Sequence, residues 1–394
     1  MTDVRFLYGL IELPFWGYAL VTFGSIQLLF MAITLYLHRD QAHGSLQLHP
    51  ALRHFFRFWL WFSSGTVTRQ WVAVHRRHHA YADQPGDPHS PVLFGIRRVL
   101  LEGYELYVAA ARDPEIVANY GRGTPDDWIE RNLYSRYQSA GIVIFIATQL
   151  ILFGVPAILM VAIQLAAQPV FAAGVINGLG HHLGYRSFEM PSAATNIVPW
   201  GLLVAGEELH NNHHAFPWSA RFSVQRWEVD VGWWYICLFR ALGLAKVVRV
   251  APRPRLQKHR RIIDVETVNA IFVNRMHVLR EYARRVVKPV CKELAKREPR
   301  GRFPSIAPKL LIRHPARLAE GAQHLLDDLL ARYEVLRRVV EFREGLEQLW
   351  NGAVADQARS VAQLREWCAK AEASGIRALS DFAMTLRAYS TGRA

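Results

Sequence analysis

The chain has 394 residues, 51% of them hydrophobic, with 12 Trp and a formal net charge of +14. That length allows one membrane domain and a second, smaller unit. Its three cysteines, Cys237, Cys291 and Cys368, are far apart with no CxxC spacing, so neither a disulfide framework nor an iron–sulfur cluster is indicated.

The first apolar run, Leu13 to His38, holds 26 residues without Asp, Glu, Lys or Arg and predicts one tilted spanning helix. No basic leader or small-residue cleavage site precedes it, so it is expected to stay in the mature protein. It ends in HRDQAH, which carries His38 and His43. Residues five apart stand about 140° apart on an α-helix, so these two are expected to touch different metals or to straddle a helix end. Leu52 to Phe62 (LRHFFRFWLWF) is short and interrupted by Arg53 and Arg57, and reads as an interfacial or re-entrant helix.

Next comes HRRHH, with His75, His78 and His79, and much later HNNHH, with His210, His213 and His214. On a helix HxxHH projects its histidines within an arc of about 100°, so each set can converge on one metal pair. A lone helical histidine is usually a hydrogen-bonded structural residue. Two copies of one spacing plus HxxxxH reverse that preference, because solvated faces favour Lys and Glu. Imidazole suits iron, zinc and copper, and a site for two such ions uses about eight to ten ligands.

Between these sets, Tyr137 to Tyr185 holds 49 residues without a charge, enough for two spans joined by a turn at Gly154 and Pro156. An even number of spans returns HRRHH and HNNHH to one side. Arg39, Arg76, Arg77, Arg97 and Arg98 mark that side as cytoplasmic, and the amino terminus then lies outside. The second span exits in NGLGHHLGY, where Asn177 and His181 are four apart and are expected to share a helical face. His181 completes the histidine set; Asn177, a poor direct ligand, is expected to act through a metal-bound water. Glu207 and His210 form Glu-x-x-His, the pair of soluble ferritin-like bundles. Such a bundle needs a second Glu-x-x-His, which the sequence lacks, with two further glutamates, and its core would not be a charge-free hairpin, so Glu207 is read instead as orienting a ligand histidine.

The order HxxxxH, HxxHH, NxxxH, HxxHH resembles the membrane fatty acyl desaturases, in particular the stearoyl-CoA type. The resemblance covers about residues 10 to 245 and includes DPHSP (Asp87 to Pro91) and GEELHNNHH (Gly206 to His214). It implies an all-α integral membrane protein whose few transmembrane helices carry a cytoplasmic, histidine-rich di-metal domain. The implied ligands are His38, His43, His75, His78, His79, His181, His210, His213 and His214, with Asn177 through water. Glu207, His182, His89 and Asp87 are expected to support them. Thr68, Gln70 and Trp71 are substrate-tunnel candidates, with ordinary core packing as the competing reading. Glu208 departs from the pattern, since many relatives have Gly there.

The implied cofactors are two iron ions, with zinc as a substitute in purified protein and O2 as co-substrate. The implied reaction removes two hydrogens from a long-chain fatty acyl thioester, acyl-CoA above other carriers, leaving a cis double bond at Δ9. A hydroxylase or alkane oxygenase on the same scaffold is the alternative. A heme or zinc-binding membrane scaffold is a third reading; heme requires histidines at membrane depth, whereas these lie beyond the span ends. No HPGG heme box is present, so electrons are expected from a separate ferredoxin or flavin/iron–sulfur NADPH reductase. The expected location is the bacterial inner membrane.

Residues 1–250 are read as the desaturase domain and 251–394 as a basic helical extension. From Arg253 onward there are 28 Lys plus Arg against 16 Asp plus Glu, a net of +12 out of +14. Leu325, Leu326, Leu329, Leu330, Tyr333 and Leu336, then Val361, Leu364, Trp367 and Cys368, repeat at helical spacing, giving a soluble helical unit. Arg253 to Arg261 forms a basic linker suited to anionic membrane lipid or a CoA phosphate. The ending, LREWCAKAEASGIRALSDFAMTLRAY, is similar to the carboxyl ends of some bacterial transposases. No matching catalytic carboxylate set accompanies it, and no nucleic acid partner is expected.

Overall fold

The computed structural model describes residues 8–257, 259–299, 301–352 and 357–391; Lys258 of the basic linker lies outside them. The chain forms two compact units, Met1–Arg186 with Ser192–Ala251, and Ser187–Pro191 with Pro252–Ala394.

In the first unit, α1 (Phe15–Ala42) is uncharged over its first 24 residues and long enough to cross a membrane. Helices α2 (Pro50–Ser64), α3 (Thr68–Tyr81), α4 (Ile96–Arg112) and α5 (Pro114–Tyr120) follow. The apolar hairpin is α6 (Gln138–Phe153) and α7 (Pro156–Leu179). Gly154 closes α6 with φ of 63°, a left-handed conformation glycine adopts without a Cβ clash, and Pro156 opens α7, where its missing N–H costs nothing. Leu20, Phe23, Val143, Ile151, Ile158 and Leu159 on these helices face outward. An exposed apolar belt on stretches without a charged residue, 15–38, Gln138–Phe153 and Pro156–Leu179, suits lipid and not water. The chain is thus an all-α integral membrane protein. α1 packs against α7, and both deliver histidines from their carboxyl ends. Two short helices, α8 (His210–Ala215) and α9 (Val231–Ala241), complete the unit.

The segment Leu52–Phe62 lies within α2, which packs on α6 with Phe56, Leu60 and Trp61 buried. Its two arginines, read as signs of an interfacial position, are engaged by protein carboxylates. Arg53 pairs with Asp40 at 2.7 Å, and Arg57, only 4% exposed, pairs with Asp127 at 2.6 Å and Glu130 at 3.2 Å.

The second unit is helical around a core of Val278, Tyr282, Val286, Leu346, Leu364, Phe382 and Leu386. The Tyr282 hydroxyl donates to Val339 O at 2.6 Å. The leucine-rich periodicity spans a break: one helix ends at Arg332, Tyr333 turns the chain, and Leu336 belongs to the helix starting at Glu334. Many of its cations sit beside carboxylates three or four residues away, as in Arg284 and Arg285 with Glu281 and Lys370 with Glu366. Cys291 and Cys368 are buried thiols held protonated by desolvation, pushed up to about 11 and about 12.

Candidate metal centre

Nine imidazoles gather in two groups. His38, His43, His75, His79 and His213 form one, and His78, His181, His210 and His214 the other; within each, the ligand nitrogens lie within 4.8 Å of one another. In the first group, Nε2 atoms stand 2.9 Å apart for His43 and His75, 3.0 Å for His38 and His213, and 2.8 Å for His213 and His79. In the second they stand 3.0 Å apart for His181 and His210, 3.1 Å for His214 and His210, and 3.3 Å for His78 and His214. Two imidazoles at right angles on an ion at about 2.1 Å place their nitrogens about 3.0 Å apart. The donor sets therefore fit two ions of the imidazole-binding class.

Helix geometry divides each HxxHH between the groups. His75 and His79, four apart on α3, turn to the first group, while His78 points about 100° away and enters the second. On α8 the division is reversed: His210 and His214 join the second group and His213 the first. Each short helix thereby ties the two groups together.

His38 and His43 meet in the same group and so do not face separate ions; the other alternative, a helix end between them, holds, because the helix stops at Ala42 and His43 caps it. The end of α1, Ile33–Ala42, is a π-helix, and His43 N donates to His38 O at 3.1 Å. An i→i+5 turn stacks residues five apart, which an α-helix cannot do. A second departure concerns Asn177 and His181. The helix stops at Leu179 with Gly180 as its cap, so His181 stands in the turn beyond and does not share a helical face with Asn177. Asn177 is half-buried, and no hydrogen bond partner is found for its side chain among the described residues. His182, expected to support a ligand, is exposed to solvent, because the turn after Gly180 directs it outward. His49 and His54 are also exposed.

Three carboxylates fix three of the rings. Nδ1 of His38 donates to Glu207 at 2.8 Å, Nδ1 of His78 to Asp87 at 3.0 Å, and Nδ1 of His181 to Asp83 at 2.8 Å. With Nδ1 carrying the proton, the Nε2 lone pair faces the group. Thr34 donates to Glu207 at 2.6 Å, and Arg39, fully buried, stands 3.9 Å from it. His89 stacks on His78 with ring centroids 4.6 Å apart. Trp71 stacks on His75 at 4.9 Å and 13°. By contrast, Thr68 is buried against the Tyr36 hydroxyl at 3.2 Å, and Gln70 accepts from Gln138 at 3.0 Å. Glu208 accepts the amides of Leu203, Val204 and Gly206, holding the loop that leads to α8.

Burial, then the charge of neighbouring rings, pushes His43, His75, His79, His210, His213 and His214 well below the ordinary histidine range. Burial also lowers His181, although Asp83 opposes it. Neutral rings keep their lone pairs for a cation. Burial works against ionisation of Asp83 and Asp87, but their histidine partners outweigh it: Asp83 falls below the usual carboxylate range and Asp87 to about 2.

Sequence reasoning missed Asp83, Thr34 and Arg39. The available signals were an acidic residue four places after His79 in a Pro-Gly turn, and an arginine inside HRDQAH.

The family model described as fatty acid desaturase matches residues 13–236. A second, described as transposase, matches residues 265–392. The chain is 30% identical over 223 residues to an acyl-CoA 5-desaturase of Anemone leveillei, covering 55% of this chain and 67% of that protein. It is 31% identical over 226 residues to an sn-1 stearoyl-lipid 9-desaturase of Synechocystis sp., covering 56% and 68%. It is 28% identical over 240 residues to a delta-9 acyl-lipid desaturase of Arabidopsis thaliana, covering 60% and 76%. The first match spans more than half of the chain and contains all nine imidazoles. This membrane oxidoreductase therefore belongs to the fatty acid desaturase family, of the stearoyl-CoA type.

Proposed function

We propose that residues 1–250 desaturate a saturated long-chain fatty acyl thioester, carried by CoA, at Δ9, using O2 and two electrons from a separate ferredoxin or flavin/iron–sulfur reductase. The observation that carries this reading is the pair of imidazole groups at the ends of the membrane helices. Two iron ions would be held there, one by His38, His43, His75, His79 and His213 and one by His78, His181, His210 and His214, with Asn177 acting through water on the second. Bound iron supplies, with O2, the oxidising power that unactivated CH2 groups require. The balance is one CH2–CH2 pair, O2, two electrons and two protons giving one cis CH=CH and two waters.

The protein's own part is to hold geometry and exclude competing reactions. Glu207, Asp87 and Asp83 keep three imidazoles in the ligating tautomer. Trp71, flat against His75, is the tunnel candidate that touches the site; the proposed part of Thr68 and Gln70 is to shape the wall behind it. An acyl-CoA substrate is supported by the positive excess after Arg253, which suits a phosphate-bearing carrier or the headgroups of an inner-membrane leaflet. The arginines beside the first two histidine sets support a cytoplasmic site.

The test is fatty-acid methyl ester analysis of a host lacking its own desaturase, with a donor co-expressed. A new cis-monounsaturated acid that vanishes in His78→Ala supports the proposal and gives the bond position. Hydroxylated product would move the reading to a hydroxylase. In membranes fed labelled stearoyl-CoA or labelled phospholipid, product from phospholipid alone would overturn the choice of carrier.

A further inference from the structure

Asp83 is one of two non-glycine residues with positive φ among those described, at 64°. Aspartate tolerates this left-handed conformation better than most side chains. The residue is the junction of two supports. Its carboxylate accepts from His181 Nδ1 at 2.8 Å, from the Ser90 hydroxyl at 2.6 Å and from the Ala193 amide at 2.6 Å. Its own amide donates to Asp87 Oδ2 at 2.8 Å, and Asp87 in turn accepts from His78 Nδ1 at 3.0 Å and from the His89 amide at 3.1 Å. Both histidines reached this way, His78 and His181, belong to the four-histidine group. The five-histidine group has its own carboxylate, Glu207 on His38.

We propose that Asp83 is a positioning residue dedicated to the four-histidine group, orienting His181 directly and His78 through Asp87, so that the two ion sites depend on different carboxylates. This rests on the two-ion reading above. In the four-histidine group, fewer imidazoles share the ion and two of them lean on one turn. Loss of that turn therefore weakens one ion and spares the other. Glu207 acts in the same way on the other group.

The experiment is metal titration of the full purified chain, stripped and reloaded with ferrous iron or cobalt(II), with elemental analysis and cobalt absorption as readouts. Asp83→Gly keeps the left-handed backbone and removes the carboxylate; Asp83→Asn keeps shape and backbone tolerance and removes the charge. Wild type is expected to take two ions. Either variant is expected to hold one unchanged and the other about 10–100-fold more weakly, the usual cost of losing a carboxylate behind a ligand histidine. Glu207→Gln is expected to weaken the opposite ion, with a different change in the cobalt spectrum. Two ions bound equally well in both Asp83 variants, or both ions weakened together in the folded chain, would overturn the inference. A wild-type chain that binds no pair of ions would overturn the two-ion reading itself, and is told apart because it appears before any substitution is made. Should Asp83→Gly fail to fold, Asp83→Asn carries the decision.

Discussion

Arg39 offers a sharp test of how the first unit is held together. It is 0% exposed, lies with its guanidinium 3.7 Å over the Phe222 ring, and donates to Ala220 O at 3.0 Å, to Asp230 at 3.1 Å and to the Thr34 hydroxyl. Replacing it with methionine leaves Asp230 and Glu207 as buried carboxylates without their cation. Removing one partner of a buried pair costs about 3–5 kcal/mol. Here the low end applies, because Asp230 still accepts the amides of Phe222 at 2.7 Å and Trp233 at 2.9 Å, and Glu207 keeps His38 and Thr34. For a domain of this size about 3 kcal/mol lowers Tm by roughly 6–12 °C. Tryptophan fluorescence of the detergent-solubilised, metal-loaded chain reads it directly. Arg39→Lys, which keeps the charge but loses the fork, is expected to fall between the two. A shift in Arg39→Met smaller than about 2 °C would refute the assignment of Arg39 as the clamp joining α1 to the start of α9.

The metal-free chain is expected to lose stability as pH falls below about 6.5, where unfolded histidine begins to bind protons. The folded rings of His43, His75, His79, His181, His210, His213 and His214 resist protonation, so the unfolded state binds more protons over that window; a melting point independent of pH from 7 to 5 would count against this. Gly180→Ala is expected to abolish product and to lower metal content, because the new Cβ would press on Ile176 O and lie 3.1 Å from the His210 ring; full metal loading would disprove this. Despite the transposase match and the basic excess, the full chain is expected to show no steep salt dependence toward duplex DNA. A fall in affinity of about 10³-fold or more between 50 and 200 mM salt, as phosphate-contacting proteins show, would contradict that.

Much of the molecule follows from local pattern. Two charge-free runs can satisfy their backbone only as helices in lipid, and the Gly154–Pro156 turn makes the second run a hairpin. An i, i+4 pair shares a helix face whatever surrounds it, so the candidate ligand types and their rough convergence were legible from HRRHH and HNNHH alone. The tertiary structure decided which ion each histidine faces. Splitting each HxxHH between two groups depends on how α3 and α8 oppose each other. Uniting His38 with His43 depends on a π-turn that ordinary helix angles do not predict. The exposure of His182 and the separation of Asn177 from His181 follow from where α7 stops. Asp83 reaches His181 across 98 positions of sequence and Glu207 reaches His38 across 169. Helical spacing is a short-range property of the backbone and can be read from residue order; the supports of a metal centre are contacts between distant segments, fixed only when the whole unit packs.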